Sequence, residues 1–145
     1  MDRRHFLAYG VLFAGYSLAL PSKLFAEWSV NSFQQCSIEQ AFINALGTQE
    51  MVKTDKISIV APVVATDSSL VPVDVISELK GTRIFLFVEK NLTPLVFVCD
   101  LHENALPWFS LNIKMKESSA LYAVVRDGGK FFMSSVHVDV VAQAC

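Results

Sequence analysis

The sequence predicts an all-β fold, an immunoglobulin-like β-sandwich with one N-terminal helix after a cleaved signal peptide. Three observations lead there. Seven apolar, alternating runs follow one another at spacings of roughly 8–14 residues in the second part of the chain. An Asp-Gly-Gly turn joins the last two. Only one stretch after the signal has helical periodicity, "CSIEQAFINALG". The Cys-Trp-Cys core of antibody domains is absent, so the architecture alone is implied.

The chain opens as an export signal. "MDRRHFLAYG" pairs Arg3 with Arg4 ahead of Phe6 and Leu7, an apolar stretch follows to Leu20, and Pro21 breaks it before "LFA". The apolar run is shorter than the about 20 residues a spanning helix needs. "RRHFL" fits the core of the twin-arginine route, which moves folded cargo. Gly10, Gly15, Tyr16 and Ser17 soften the apolar region, and Lys23 disfavours the general route. Cleavage is expected after Ala26, giving a signal over 1–26 and a periplasmic product.

Losing Asp2, Arg3, Arg4 and Lys23 takes the formal charge from −2 to −4. A mildly acidic domain of this kind is not a nucleic-acid binder. The remaining 119 residues suffice for one core.

The helix starts at Ser37, its N-cap, with Gln40 placed to complete a capping box. Ile38, Ala41, Phe42, Ala45 and Leu46 share a face, and Gly47 ends it. The strands then read "KISIVAPVV", with Pro62 marking an edge or an end, "LVPVDVIS", "RIFLFVEK", "PLVFVCDL", "FSLNIKMK", "SALYAVVR" and "KFFMSSVHVDVV". Phe109, Leu111, Ile113 and Met115 fall on one face of the fifth. "IFLFV" is apolar on both faces, whereas a strand in a two-sheet sandwich has one buried face. Its second face is expected to lie under the helix in part, or more fully under a partner protein.

No nucleophile–base pair, glycine-rich phosphate loop or metal-ligand spacing is present, and no catalytic residue, metal or cofactor is expected. His102, in a loop, and His137, on the face opposite Val136 and Val138, read as solvated histidines. Asp100, Glu103 and Asp139 read as a solvated acidic scatter. Three cysteines follow the signal, and an odd number in an oxidising compartment points to a free or intermolecular thiol. Cys99 sits in an apolar strand as a small buried hydrophobe. Whether Cys36 pairs with Cys99, tying the helix to the sheet, is left open.

Cys145 stands apart by position. Beyond Val141 the chain reads Ala142, Gln143, Ala144, Cys145, with nothing to anchor it. The five residues from Val140 to Cys145 reach at most about 17 Å. A tethered thiol has a raised effective concentration at any docked partner. The terminal carboxylate beside it, with no Lys or Arg near in sequence, pushes its pKa above the usual value of about 8.5. Activation would therefore come from a partner. The residues alone leave two readings open, a carrier thiol or a cysteine that makes only a disulfide or a dimer.

The segments "FVEKNLTPLVFVCDL", "FSLNIKMKESSALYAVVRDGGKFF" and "VHVDVVAQAC" resemble the SoxY family, carrier subunits of the periplasmic thiosulfate-oxidising (Sox) system. The resemblance runs from about 57 to 145 and suits the twin-arginine start and the helix. It implies a sandwich domain over 27–141 and a carrier arm over 142–145, with Cys145 as the covalent attachment site for sulfur. It implies a heterodimer with a SoxZ-like subunit, which would also cover the second face of "IFLFV". It further implies a c-type cytochrome enzyme that conjugates thiosulfate to the thiol, a dimanganese hydrolase that releases sulfate, and in some systems a sulfane dehydrogenase. The family arm ends Gly-Gly-Cys-Gly-Gly, whereas Ala142, Gln143 and Ala144 stand here and nothing follows Cys145. This arm is bulkier and stiffer than a glycine arm. Two other classes stay in view, a non-carrying structural paralogue and a thiol-redox module using Cys36 with Cys145.

Overall fold

In the computed structural model, which describes residues 30–141, the helix forms where its caps place it. A short 3-10 turn, Val30–Phe33, leads into α1, Ile38–Leu46. The Ser37 hydroxyl accepts from the Gln40 N–H at 3.3 Å, and Gly47 closes the helix at φ 76°, donating to the Ile43 carbonyl at 2.9 Å. The reciprocal half of the capping box does not form. The Gln40 amide donates instead to Asn44 Oδ1, one turn on, at 2.8 Å.

Nine strands follow among the described residues: β1 (Val52–Lys53), β2 (Ile57–Val60), β3 (Val64–Ala65), β4 (Val71–Ser77), β5 (Arg83–Val88), β6 (Leu95–Asp100), β7 (Trp108–Ile113), β8 (Ser119–Asp127) and β9 (Lys130–Val140). Seven of them are the alternating runs of the sequence. The larger sheet has the order β1-β9-β8-β5-β6, with β3 also paired to β9; the smaller has the order β2-β4-β7. The two longest strands, β8 and β9, meet across Asp127 and Lys130. Gly128 and Gly129 between them have φ of 58° and 82°, the two positive values that a type I′ hairpin turn demands.

The two sheets close over one apolar layer. Ile57, Ile59, Val71, Val73, Val75 and Ile113 face it from the small sheet. Ile84, Leu86, Val88, Leu121, Ala123, Val125 and Val138 face it from the large one. Alternation then sends Phe85, Phe87, Tyr122, Val124, Phe131 and Met133 to the opposite face of the large sheet. There α1 covers them. Phe42 meets Phe87 edge-on at 4.8 Å and Tyr122 at 5.7 Å, and Ala41 is fully buried. Phe85 and Phe87 are 3% and 0% exposed. The molecule is thus three layers deep, a helix, a six-stranded sheet and a three-stranded sheet.

Of the two covers that the sequence left open, the helix is the one seen. The second apolar face of β5 is buried within the chain, because the helix presents its own aromatic and small residues to it. A partner subunit is not needed there.

Pro62 also acts more strongly than an edge marker. The run "KISIVAPVV" does not stay in one sheet. β2 ends at Val60 in the small sheet, and β3 resumes at Val64 alongside β9 in the large one. A proline cannot donate to a ladder, so the pairing breaks there and the chain crosses between layers. The two-residue strands β1 and β3, both parallel to β9, have no alternating run of their own to announce them.

Phe42→Ala opens the interface between helix and sheet and is expected to lower the unfolding free energy by about 3–5 kcal/mol. Urea denaturation followed by far-UV circular dichroism measures it. Arg83 and Asp100 face each other across β5 and β6, Nε on Oδ1 and Nη2 on Oδ2 at 3.0 Å. These hydrogen bonds hold the Asp100 carboxyl below its usual range. A lowered folded pKa contributes stability above the unfolded value, about 3.9, that is lost as pH falls through the folded one. Both groups are well exposed, so the contribution is expected to stay below about 1 kcal/mol. Arg83→Met should flatten the acid limb of stability below about pH 4. Asp67 is likewise held low by the Ser69 hydroxyl and N–H, and it leaves a residual slope in the variant.

Candidate functional site

The functional candidates lie where β9 ends. Cys145, with Ala142, Gln143 and Ala144, lies outside the described residues, as do Arg3 and Arg4 of the signal. What the structure describes is the root from which residues 142–145 continue.

That root is held from two sides. Backbone groups of a strand point alternately to its two neighbours. Asp139 and Val141 point to β3, and their N–H groups donate to the carbonyls of Val63 at 2.9 Å and Ala65 at 3.0 Å. Val140 points the other way, where β8 has already ended. Its N–H donates to Ser118 Oγ at 2.8 Å. The adjacent Ser119 is fully buried and its Oγ accepts from the Lys90 N–H at 3.1 Å. Two consecutive serines thus fasten the end of β9 and the turn after β5 to the start of β8.

Asn91 completes this end of the sandwich. Its Nδ2 donates to the Lys114 carbonyl at 2.7 Å, and its Oδ1 accepts from the Lys116 N–H at 2.9 Å. One side-chain amide satisfies both groups as a strand residue would. It lies in the "FVEKN" segment of the sequence, and its role is architectural. An open groove runs beside it, lined by Ser68, Leu92, Thr93, Lys114, Met115 and Lys116. Val63, Val64 and Val141 are exposed around the root.

The other two thiols are free, and the sheet keeps them apart. Cys99 pairs with Ile84, which faces the layer between the sheets, so its side chain lies on that face. Cys36 packs on the helix side, with its N–H on the Leu92 carbonyl at 3.2 Å. Cys36 and Cys99 thus lie on opposite faces of the large sheet, and no disulfide joins them in the structure. Cys99 is only half-buried, because β6 is the edge strand of its sheet. Cys36 Sγ donates to the Gln34 carbonyl at 3.4 Å.

The histidines do not converge. His137 Nε2 lies 3.1 Å from Asp139 Oδ1 on the outer face of β9, with both side chains well exposed. His102 sits on an exposed loop at the opposite end of the sandwich. Among the described residues no group of three His, Cys, Asp or Glu side chains could hold a metal ion. Sequence reasoning missed Ser118, Ser119 and Asn91. Asn91 reads as an ordinary turn residue, and its bonds run to positions 23 and 25 residues away.

Comparison with known proteins fits this geometry. The family model "Sulfur oxidation protein SoxY" matches residues 43–145. The structure of the sulfur carrier protein SoxY from Chlorobium limicola f thiosulfatophilum superposes with a TM-score of 0.67 at 29% identity, covering 73% of this chain and 97% of that one. Two β-glucuronidase structures from Bacteroides uniformis share 11% identity at TM-scores of 0.40 and 0.41, each over 60% of this chain and 11% of theirs. No curated protein sequence matches the chain. A family match over most of the chain, joined to the shared sandwich and its helix, makes this chain a member of the SoxY family of sulfur oxidation proteins.

Proposed function

We propose that the chain is a non-catalytic periplasmic sulfur carrier in thiosulfate oxidation, holding sulfur intermediates covalently on Cys145. The observation that carries this reading is the anchored root. β9 is fastened as far as Val141, four residues before Cys145, which the family resemblance makes the carrier thiol. A rigid body with a short cysteine-bearing extension is the form a shuttle requires, since the four residues reach about 14 Å.

In the first step the Cys145 thiolate and the sulfane sulfur of thiosulfate form an S–S bond, giving Cys–S–S–SO₃⁻. Two electrons leave to a c-type cytochrome partner. In the second, a dimanganese hydrolase adds water to the sulfonate sulfur, releasing sulfate and two protons and leaving Cys–S–S⁻. A sulfane dehydrogenase is suited to oxidise the remaining sulfur. The chemistry belongs to the partners, and this chain supplies the tether and the leaving thiol. Lys114 and Lys116 on the groove wall suit an anionic load. The exposed valines at the root suit transient docking. Pairing with a SoxZ-like subunit and export through the twin-arginine route, directed by Arg3 and Arg4, belong to the same reading.

Cys145→Ser is expected to abolish thiosulfate-dependent growth in a strain with no second carrier, while Cys36→Ser and Cys99→Ser leave it unchanged. Undiminished growth of the Cys145→Ser strain refutes the carrier. Intact mass of protein from thiosulfate-grown cells should show a gain of about 112 Da on Cys145, reversed by thiol reductant. A Cys36–Cys145 disulfide in its place would assign the chain to redox chemistry. An unmodified thiol during active turnover would make it a structural paralogue.

A further inference from the structure

Val140 is where β9 outruns its neighbour. β8 begins at Ser119, which pairs with Val138, while β9 continues to Val140. A strand that passes the end of its partner leaves one N–H and one C=O facing a missing chain. Alternation assigns those groups to Val140, since Asp139 and Val141 face β3. The Ser118 side chain occupies the missing place. Its hydroxyl accepts from the Val140 N–H at 2.8 Å and stands 3.5 Å from the Val140 carbonyl as donor. On the other flank β3 is only two residues long, and the exposed Val63 and Val64 give it little apolar cover. A ladder that short holds weakly by itself.

We infer that Ser118 is a positioning residue that fixes where the arm begins, and therefore how far the Cys145 thiol reaches. This rests on the carrier reading. With Val140 held, the chain beyond the last held residue is 142–145, at most about 14 Å long. With β9 released back to Val138, it becomes 139–145, about 24 Å. A longer tether dilutes the load at a docked active site and lets the thiol meet other surfaces.

The test uses the full mature chain in a Cys36→Ser/Cys99→Ser background, with a nitroxide label on Cys145. In the unsubstituted Ser118 protein, the Val140 amide should exchange at least about tenfold more slowly than that of Ala142, beyond the described end of the strand. Ser118→Ala should accelerate exchange at Val140 and Val141 about fivefold, the worth of one hydrogen bond. The label should become more mobile, while the core amide of Val124 is unaffected. Ser118→Thr keeps the hydroxyl and should restore both readouts. The inference fails if Ser118→Ala changes neither exchange nor label mobility, or if Ser118→Thr behaves as Ser118→Ala. It also fails if Val140 exchanges as fast as Ala142 with Ser118 in place, a measurement that needs no variant to fold. None of these readouts depends on sulfur being loaded or oxidised, so they are decided separately from the growth test on Cys145→Ser.

Discussion

Burying β5 on both faces constrains everything around it. Ile84, Leu86 and Val88 need one dry surface and Phe85 and Phe87 another. Full burial of each such side chain contributes about 1.5–3 kcal/mol, so neither face can be left to water. The small sheet covers one face and α1 the other, through Phe42 and Ala41. The helix is therefore a third layer of the fold and cannot be regarded as a leader to the sandwich.

From that centre the rest follows outward. β8 pairs with β5 on one side and β9 on the other, so the rigidity of β5 passes through β8 to β9. β9 extends to the rim, where side-chain groups take over from backbone pairing. Ser118, Ser119 and Asn91 each supply hydrogen bonds that a neighbouring strand would otherwise make. The end of the sandwich where β9 finishes is thus fastened by buried and half-buried polar side chains. The middle is held by apolar contact.

Much of this was legible in the sequence, for identifiable reasons. Alternation marks the seven longer strands because each has at least one buried face. Ser37 and Gly47 mark the helix because cap chemistry is local. Asp127-Gly128-Gly129 marks the hairpin because positive φ is nearly a glycine property. Local pattern failed where a partner distant in sequence decides the outcome. β1 and β3 are strands only because β9 lies beside them. The cover over Phe85 and Phe87 could not be assigned to helix or partner without the packing. The two faces on which Cys36 and Cys99 sit follow from the register of β5 and β6 and the docking of the helix. At the site, the cysteine position and the family segments were readable, whereas the serines that hold the root look like any polar pair at a strand boundary.

The nine-pair ladder between β8 and β9 has a mechanical side. A partner that tugs on the arm pulls β9 along its own axis, against a neighbour held in the middle of the sheet. The load then falls on many hydrogen bonds together, as in a lap joint, and does not peel them one by one. On the carrier reading, a pull of that kind would leave the body of the sandwich intact.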